Sequence, residues 1–356
     1  MRRRSFDVPD YYLNGDSLLQ LDDGRILSFH FRDTEDLKIY DQEEFKEILS
    51  IDLTEILKQN KKDVKSFYES EKTFELCVIQ LKNKSILVGF YTYLIEIKLN
   101  EKSFESNVVF EYKENILNIN ELPDGKIILI TDNLILVLND FILKDKYNIK
   151  KVWKIVPVSL TMRFYGNFNQ YFASIILPDE RILIRSFSTE LSYNGGCGTH
   201  PPDEFTHSKI IFLNTQNFEE IKTTEEFISD SRALVLENLI IIQDYHNIYL
   251  YDIKTLENIK KIEIEGDYSY FEKYNENEII AYSIYEDEND LLIYRVEGND
   301  LIKSCEVKKN FKFKEVIGRN YYPLIRYNNK VLFVLKDKRI ILLCHGAALL
   351  LNLNLE

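Results

Sequence analysis

The residues best suited to chemistry lie together in one segment, Ser192–His207. It contains Cys197, His200 and His207, and thiolate and imidazole groups are ligands that zinc prefers in proteins. However, no C-x-x-C or H-x-x-x-H pair accompanies them, and the sequence offers no evident fourth ligand. The sequence therefore predicts no metal and no cofactor. The segment is interpreted as a flexible loop or one ordered by a partner, and the three residues are the candidate ligands of the alternative, a metal site.

Other patterns that could support catalysis are incomplete. The glycines of Gly195–Gly198 lack the Gly-Lys-Ser/Thr ending of a phosphate-binding loop. No serine stands in a nucleophile-elbow pattern beside His30, His246 or His345, which are interpreted as structural residues. The acidic run Glu286–Asp290 has neither the spacing nor the glycine of a calcium loop. We therefore expect no catalytic residues and a protein that is not an enzyme.

Charge and composition limit the class of partner. The chain has 356 residues and a net charge of −13, which disfavours binding to nucleic acid or to an anionic membrane. The one basic cluster, Arg2–Arg4, is interpreted as a solvated tail. We expect no leader and no membrane span, because no apolar run follows Met1 and none is long enough to cross a bilayer, and the four cysteines are scattered. These features predict a cytoplasmic protein, with the nucleus as the alternative.

One unit recurs along the chain: a strand, a turn rich in Asp, Asn or Gly, a nearly continuous apolar strand, and a further apolar strand. The equivalent positions of the central apolar strand are taken as Ile26, Ile86, Ile127, Ile182, Leu239, Ile279 and Val331. The two shortest spacings between these positions, 41 and 40 residues, match the length of a four-stranded propeller blade.

The central strands are apolar at consecutive positions, as in Ile86–Val88 and Leu239–Ile242. A strand with one face in water would alternate, so both faces of these strands are predicted to be buried between neighbouring blades. The segment Ile259–Ile264 comes closer to alternation and is predicted to be an outer strand. The C-terminal stretch from Ile340 to Leu353 is predicted to form two strands with a turn at His345-Gly346.

The pattern resembles a degenerate WD-repeat β-propeller over essentially the whole chain. The residues that carry this resemblance are the strand-ending pairs, the turn aspartates and the Asp-Gly turns: Tyr40-Asp41, Tyr251-Asp252, Asp132, Asp244, Asp337, Asp23-Gly24 and Asp124-Gly125. The chain departs from that family in having no Gly-His pair at the expected places, and its single tryptophan, Trp153, lies outside the motif.

The resemblance implies an all-β fold, a β-propeller of seven four-stranded blades forming a single domain over residues 1–356. The last blade is complete by itself, with strands near Pro323–Tyr327, Lys330–Leu335, Arg339–Cys344 and Ala347–Leu353, or the N-terminal segment 1–15 closes it through Ser5–Val8. Either arrangement would remove exposed strand edges.

Three insertions are expected to emerge on one face of the propeller. They are Thr54–Lys72, Val156–Asn167 and Ser188–Ser208. The first is predicted to contain a helix, with Thr54 as a candidate N-cap and one face formed by Ile56, Leu57, Val64, Phe67 and Tyr68. Loops on a rigid scaffold often carry function, although neutral variation in length is the alternative explanation.

The resemblance implies a non-enzymatic interaction scaffold that binds a protein or peptide through one loop face. One alternative is a propeller-fold hydrolase or lyase with a site at the central channel, which would need ionisable groups converging from several blades. Another is a subunit of a larger assembly, in which the amphipathic Thr54–Lys72 stretch docks on a partner.

Overall fold

The computed structural model describes most of the chain. The described residues are 17–29, 36–62, 76–131, 133–149, 169–192, 203–224, 227–228, 232–236, 238–244, 247–263, 268–283, 291–307, 332–344 and 347–351. No helix among these residues combines the length and the hydropathy that a membrane span requires.

The strands form consecutive antiparallel sheets, numbered here in chain order. Sheet 1 comprises β1 (Ser17–Gln20), β2 (Ile26–Phe29), β3 (Asp36–Tyr40) and β4 (Glu47–Asp52). A helix follows, α1 (Leu53–Gln59). Sheet 2 comprises β5 (Cys77–Gln80), β6 (Ile86–Phe90), β7 (Tyr93–Leu99) and β8 (Phe104–Glu111). Sheet 3 comprises β9 (Ile116–Glu121), β10 (Ile127–Thr131), β11 (Leu134–Asn139) and β12 (Ile142–Asn148).

Sheet 4 comprises β13 (Asn169–Ile176), β14 (Ile182–Ser192), β15 (Asp203–Leu213) and β16 (Glu220–Thr223), and β17 (Phe227–Ile228) also pairs with β15. Sheet 5 comprises β18 (Arg232–Val235), β19 (Leu239–Gln243), β20 (Asn247–Asp252) and β21 (Asn258–Glu263). Sheet 6 comprises β22 (Tyr268–Asn275), β23 (Glu278–Ser283), β24 (Leu291–Glu297) and β25 (Asp300–Val307). Sheet 7 has three described strands, β26 (Leu332–Val334), β27 (Ile340–Cys344) and β28 (Ala347–Leu351).

The chain divides into two compact units. Unit 1 consists of residues 1–52 and 262–356 and contains sheets 1, 6 and 7. Unit 2 consists of residues 53–261 and contains α1, sheets 2 to 4 and nearly all of sheet 5. That the whole chain is one domain stays a prediction.

Within each unit, neighbouring sheets pack face to face through apolar side chains. In unit 2, one cluster joins sheets 2 and 3, a second joins sheets 3 and 4, and a third joins sheets 4 and 5. In unit 1, Ile26 and Tyr40 of sheet 1 share a cluster with Phe333 and Ile341 of sheet 7. The predicted burial of central strands on both faces is confirmed, since β2, β6, β10 and β19 are buried along their whole length.

Five turns between first and second strands have the same hydrogen bonds. They span Leu21–Arg25, Leu81–Ser85, Leu122–Lys126, Leu177–Arg181 and Leu335–Arg339. In each turn, the backbone N–H of the first residue donates to the carbonyl of the fifth, and the carbonyl of the first residue accepts from the N–H of the fourth. The third residue is Asp or Asn, and its side chain accepts a bond from the N–H of the fifth residue. The fourth position has positive φ, which glycine adopts without strain, and the predicted Asp-Gly turns supply it with Gly24 and Gly125.

The turn after the third strand explains the strand-ending aspartates. Asp41 and Asp252 each accept backbone N–H bonds from the turn that follows, and Asn214 does the same in sheet 4. Each turn also places an apolar residue at positive φ and packs it against a neighbouring sheet: Phe45, Phe218 and Leu256.

The seventh repeat corrects two sequence assignments. The turn Leu335–Arg339 is equivalent to Leu21–Arg25, so the second strand of sheet 7 begins at Ile340, and Val331 precedes the first strand. Asp337 therefore lies before the second strand of its sheet and not before the third. The mistake arose because the first strand, β26, is as apolar as a central strand. The predicted strand pair after Ile340 is confirmed by β27 and β28.

The fourth strands of five sheets each contain one extra residue that shifts the pairing register. These bulge residues are Ile48, Val109, Lys144, Ile221 and Ser304. A bulge twists an edge strand and obstructs pairing with another chain, which protects the outer edges of these sheets. The segments proposed to close the last sheet, Ser5–Val8 and Pro323–Tyr327, lie outside the described residues.

Candidate functional site

The two ends of the unit 2 sheets differ, and the end predicted to carry function is called here the loop end. In an antiparallel meander, the first strand begins, the fourth strand ends, and the second and third strands are connected at the same end. The equivalent ends of neighbouring sheets lie side by side. Lys82, in the turn before β6 of sheet 2, donates to carbonyls in the turn before β10 of sheet 3. Between the inner strands of sheets 3 and 4, Ser174 donates to Asn118 at 2.7 Å. All three predicted insertions therefore leave from the loop end.

The candidate metal ligands are only partly described. His207 lies in β15, where its backbone pairs with Ser188 and Ile228. Cys197 and His200 lie outside the described residues. Among the residues that are described, no group of three or more His, Cys, Asp or Glu side chains could hold a metal ion. The metal hypothesis at these three residues therefore stays untested.

The predicted insertion Ser188–Ser208 is shorter than the sequence indicated. Its flanks continue β14 and β15, whose pairing extends to Ser192 opposite Asp203. Polar, weakly alternating residues such as Ser188–Ser192 do not reveal a strand that lengthens an existing hairpin. Only residues 193–202 connect the two strands, and they lie outside the described residues.

The predicted helix at the loop end is α1, and its apolar face packs on its own chain. Ile56 and Leu57 are buried beside β8, so these two side chains are covered by the protein itself and do not face a partner. Thr54 is buried within the helix, which begins at Leu53, so Thr54 is not the N-cap. Val64, Phe67 and Tyr68 lie outside the described residues.

Lys62 and Asn60 fasten the end of this helix. The Lys62 ammonium lies 2.7 Å from Glu111 at the end of β8 and 5.8 Å from the centroid of the Tyr93 ring. The side-chain amide and the backbone N–H of Asn60 both donate to the carbonyl of Ile56, at 2.9 and 3.1 Å, near the end of the helix. The helix thus gives the loop end of sheet 2 a rigid edge.

A second ordered feature of the loop end surrounds Asp244, one of the turn aspartates predicted from the resemblance. Asp244 is buried and accepts bonds from the backbone and side chain of Asn247, at 3.0 and 3.1 Å, and from the Tyr249 hydroxyl at 3.1 Å. The Tyr249 ring in turn contacts Phe227 edge-on and lies 5.6 Å from the Lys261 ammonium. Asp132, a second turn aspartate predicted from the resemblance, lies outside the described residues.

The opposite ends of the sheets, called here the turn ends, carry charged side chains that bind the turns themselves. In unit 1, an open cavity of about 470 Å³ is lined by residues of sheets 1 and 7, among them Asp23, Asp41, Asp337 and Arg339. Burial acts to raise the pKa of Asp23 and Asp41, but hydrogen bonds to Arg25 and to turn amides outweigh burial and hold both pKa values below the ordinary value. These carboxylates are therefore ionised turn acceptors at neutral pH, unsuited to general acid catalysis.

Sequence reasoning missed the contacts that basic turn residues make with the next sheet. Arg181 of sheet 4 donates to the carbonyl of Ile253 in the turn of sheet 5, and Arg339 of sheet 7 donates to the carbonyl of Gln42 in sheet 1 at 2.7 Å. The available signal was the recurrence of LKNKS at Leu81–Ser85 and LKDKR at Leu335–Arg339, visible once the turns are aligned.

Comparison with solved structures identifies this arrangement of sheets. A catalytically inactive virginiamycin B lyase from Staphylococcus aureus, with quinupristin, aligns over 97% of this chain and 96% of its own, at a TM-score of 0.52 and 10% identity. Sqt1 from Saccharomyces cerevisiae aligns over 95% of this chain and 83% of its own, at a TM-score of 0.50 and 11% identity. BBS1N, in complex with ARL6DN, aligns over 97% of this chain and 94% of its own, at a TM-score of 0.50 and 10% identity.

The chain has the β-propeller fold. The predicted fold class is thereby confirmed, and the consecutive sheets are its blades. No protein-family model matches the sequence. No curated protein sequence matches it either. At these identities the similarity establishes the fold and leaves the function to be argued from the site.

Proposed function

We propose that this propeller is a non-enzymatic interaction scaffold of the WD-repeat-like type, which binds a protein or peptide through the loop end of sheets 2 to 5. The observation that supports this proposal is the contrast between the two ends of these sheets. The turn end consists of short turns whose polar groups bond to each other and to the next sheet. The loop end carries the three long segments of the unit.

The described residues of the loop end suit the support of a binding surface. The packing of α1 on β8 and the Asp244–Tyr249 network hold the bases of neighbouring loops in fixed positions. Rigid bases reduce the conformational entropy that loops lose when they bind a partner. BBS1N, a structural neighbour, is described in complex with another protein, ARL6DN, and this is consistent with a binding role for the fold.

The net charge of −13 favours a protein or peptide over nucleic acid or an anionic membrane as the partner. The cytoplasm is the proposed compartment, with the nucleus as the alternative.

The proposal is tested by affinity purification from the native cell, followed by mass spectrometry. The test variant replaces residues 193–202 with Asn-Gly, which preserves the paired strands up to Ser192 and Asp203 and closes them with a two-residue turn. We expect stoichiometric partners with the natural chain and their loss with the variant, at an unchanged thermal midpoint.

The matched control changes the turn end of sheet 2. Glu101 and Lys102 are exposed in the turn between β7 and β8, and the Glu101→Ala, Lys102→Ala double variant should retain every partner. Equal loss of partners in both variants would contradict binding through the loop end. Recovery of no partner with the natural chain would contradict the scaffold and favour the alternative, a propeller-fold hydrolase or lyase.

A further inference from the structure

The turn Leu335–Arg339 of sheet 7 bonds to sheet 1 through its lysine at position two. The backbone N–H of Lys336 donates to Oε1 of Gln20 at 2.7 Å. The ammonium of the same residue donates to the carbonyl of Leu21 at 3.2 Å and to the carboxylate of Asp22 at 3.3 Å. One residue of the last sheet thus engages three consecutive residues of the first.

Arg339 and Asp337 add a second set of bonds between the same two sheets. The Arg339 guanidinium donates to the carbonyl of Gln42 at 2.7 Å and lies 5.3 Å from the centroid of the Phe45 ring. One oxygen of Asp337 accepts bonds from Arg339 and from the Gln42 side chain, each at 2.8 Å. Charge-assisted bonds of this kind are the stronger class in proteins.

Lys338 fastens the same turn to sheet 6 on its other side. Its ammonium donates to the carbonyl of Tyr274, in β22, at 2.8 Å and lies 5.2 Å from the centroid of that ring. The five-residue turn is therefore bonded to both neighbours of sheet 7 within unit 1.

In the turn Leu81–Ser85 of sheet 2, Lys82 makes contacts similar to those of Lys336, at a junction of a different kind. The N–H of Lys82 donates to Glu121 at 2.8 Å, and its ammonium donates to the carbonyls of Leu122 and Pro123 at 3.1 and 2.8 Å. These partners lie 39 to 41 residues apart in the chain, whereas those of Lys336 lie 314 to 316 residues apart.

This difference in sequence separation decides whether the chain itself keeps the two sheets close when the bonds break. Sheets 2 and 3 are joined by the four residues 112–115, so the chain itself keeps them close when their contacts break. Sheets 1 and 7 lie near opposite ends of the chain, and no described segment connects them directly, so their side-chain and backbone bonds are what holds this junction closed in the described residues. Their bonds are also accessible to water, since the Lys336 side chain is 56% exposed.

We propose that the turn Leu335–Arg339 is a reversible clasp, so that unit 1 opens first between sheets 7 and 1 and the clasp sets how often it opens. Opening would expose apolar side chains that the closed junction buries, among them Phe45, Phe333 and Leu335. Local opening of this kind occurs well below the free energy of global unfolding in many proteins.

Hydrogen exchange with mass spectrometry tests the clasp. Lys336→Ala is compared with its matched control Lys82→Ala, and the double variant Lys336→Ala, Arg339→Ala is the test variant that removes both sets of bonds. We expect amide exchange in β1, β2, β26 and β27 to rise about tenfold in the test variant, with β9 to β11 unchanged. The control should raise exchange in β5, β6, β9 and β10 by less than about threefold.

An equal rise at both junctions, or the largest rise outside sheets 1 and 7, would overturn the proposal. If the double variant does not fold, the same comparison is made with Arg339→Lys and with the natural protein in 1 M NaCl, where charges are screened beyond about 3 Å. Salt should then raise exchange in β1 and β27 of the natural protein. Exchange that does not respond to salt there would refute a charge-based clasp.

Discussion

The second and fourth strands of sheet 3 experience opposite environments although only one strand separates them. All five residues of β10 are buried, between the side chains of sheets 2 and 4. Six of the seven residues of β12 are exposed, including Ile142, whose surface is 61% accessible. The same apolar residue types occur in both strands, so stability depends on position within the blade and not on hydrophobicity alone.

The difference arises from how blades pack. A second strand has a neighbouring sheet on each face, so each side chain loses contact with water whichever way it points. A fourth strand lies at the rim, where its bulge and its charged residues such as Lys144 and Lys146 keep the edge solvated. Substitutions along one sheet should therefore fall steeply in effect from the second strand to the fourth.

The largest effect is expected from Leu129→Ala in β10. Leu129 is fully buried in the cluster between sheets 2 and 3, and its loss should lower the free energy of unfolding by about 3 kcal/mol through lost burial and a cavity. Chemical denaturation monitored by circular dichroism measures the change. A loss below about 1 kcal/mol would show that the inner strands are not tightly packed.

A somewhat smaller effect is expected from Gly89→Ala in β6, the second strand of sheet 2. An added Cβ would lie 2.4 Å from Sγ of Cys77 and 2.8 Å from Ile116, so neighbouring atoms must move. We expect a loss of about 2 kcal/mol by overpacking. Because Cys77→Ala removes the closer contact, the double variant should recover part of this loss. A double variant that is no more stable than Gly89→Ala would contradict the steric explanation.

The turn ends should respond to pH. Burial acts to raise the pKa of Asp337, but hydrogen bonds from Arg339 and Gln42 and the guanidinium charge outweigh it, so the pKa lies below its ordinary value of 3.8. A carboxyl group with a lowered pKa in the folded state stabilises the protein above the unfolded pKa, and this contribution is lost as pH falls through the folded pKa.

We therefore expect the thermal midpoint of the natural chain to fall more than that of Asp337→Asn between pH 5 and pH 2. The pair is partly exposed, so the difference should correspond to less than about 1 kcal/mol. Asp252→Asn, in the turn of sheet 5, gives the same comparison for an acidic turn residue of unit 2. Parallel pH profiles for the natural chain and Asp337→Asn would exclude this role for Asp337.

The smallest effect is expected from Ile142→Ser in β12. Because the side chain is mostly in water, the free energy of unfolding should change by no more than about 0.5 kcal/mol. Denaturation under the conditions used for Leu129→Ala makes the comparison direct. A loss above about 1 kcal/mol would indicate that Ile142 packs against a surface formed by the chain or by a second copy.

Much of this fold could be predicted from the sequence because its strongest signals are local. Five of the seven central strands begin at the residue that the apolar runs indicated and a sixth, β23, begins one residue earlier, and the Asp-Gly turns adopt the positive φ that glycine favours. The seventh central strand was misplaced because β26 and β27 are both apolar, and only the turn between them distinguishes first from second.

The candidate site was less predictable. The helix expected in Thr54–Lys72 exists, but whether Ile56 and Leu57 face a partner or their own chain depends on β8, about 50 residues away. Likewise, the extension of β14 and β15 into Ser188–Ser208 depends on pairing between strands and not on the composition of either one.

Local patterns in the sequence were enough to predict the repeated strands, the turn types and the burial of inner strands on both faces. These features follow from backbone preferences and apolar patterns over a few neighbouring residues. The sheet that each charged turn residue binds depends on the folded arrangement, above all for Lys336 and Arg339, which contact a sheet some 300 residues away. A lysine or arginine in a solvated turn looks the same in any sequence, and its partner exists only once the chain has brought distant segments together.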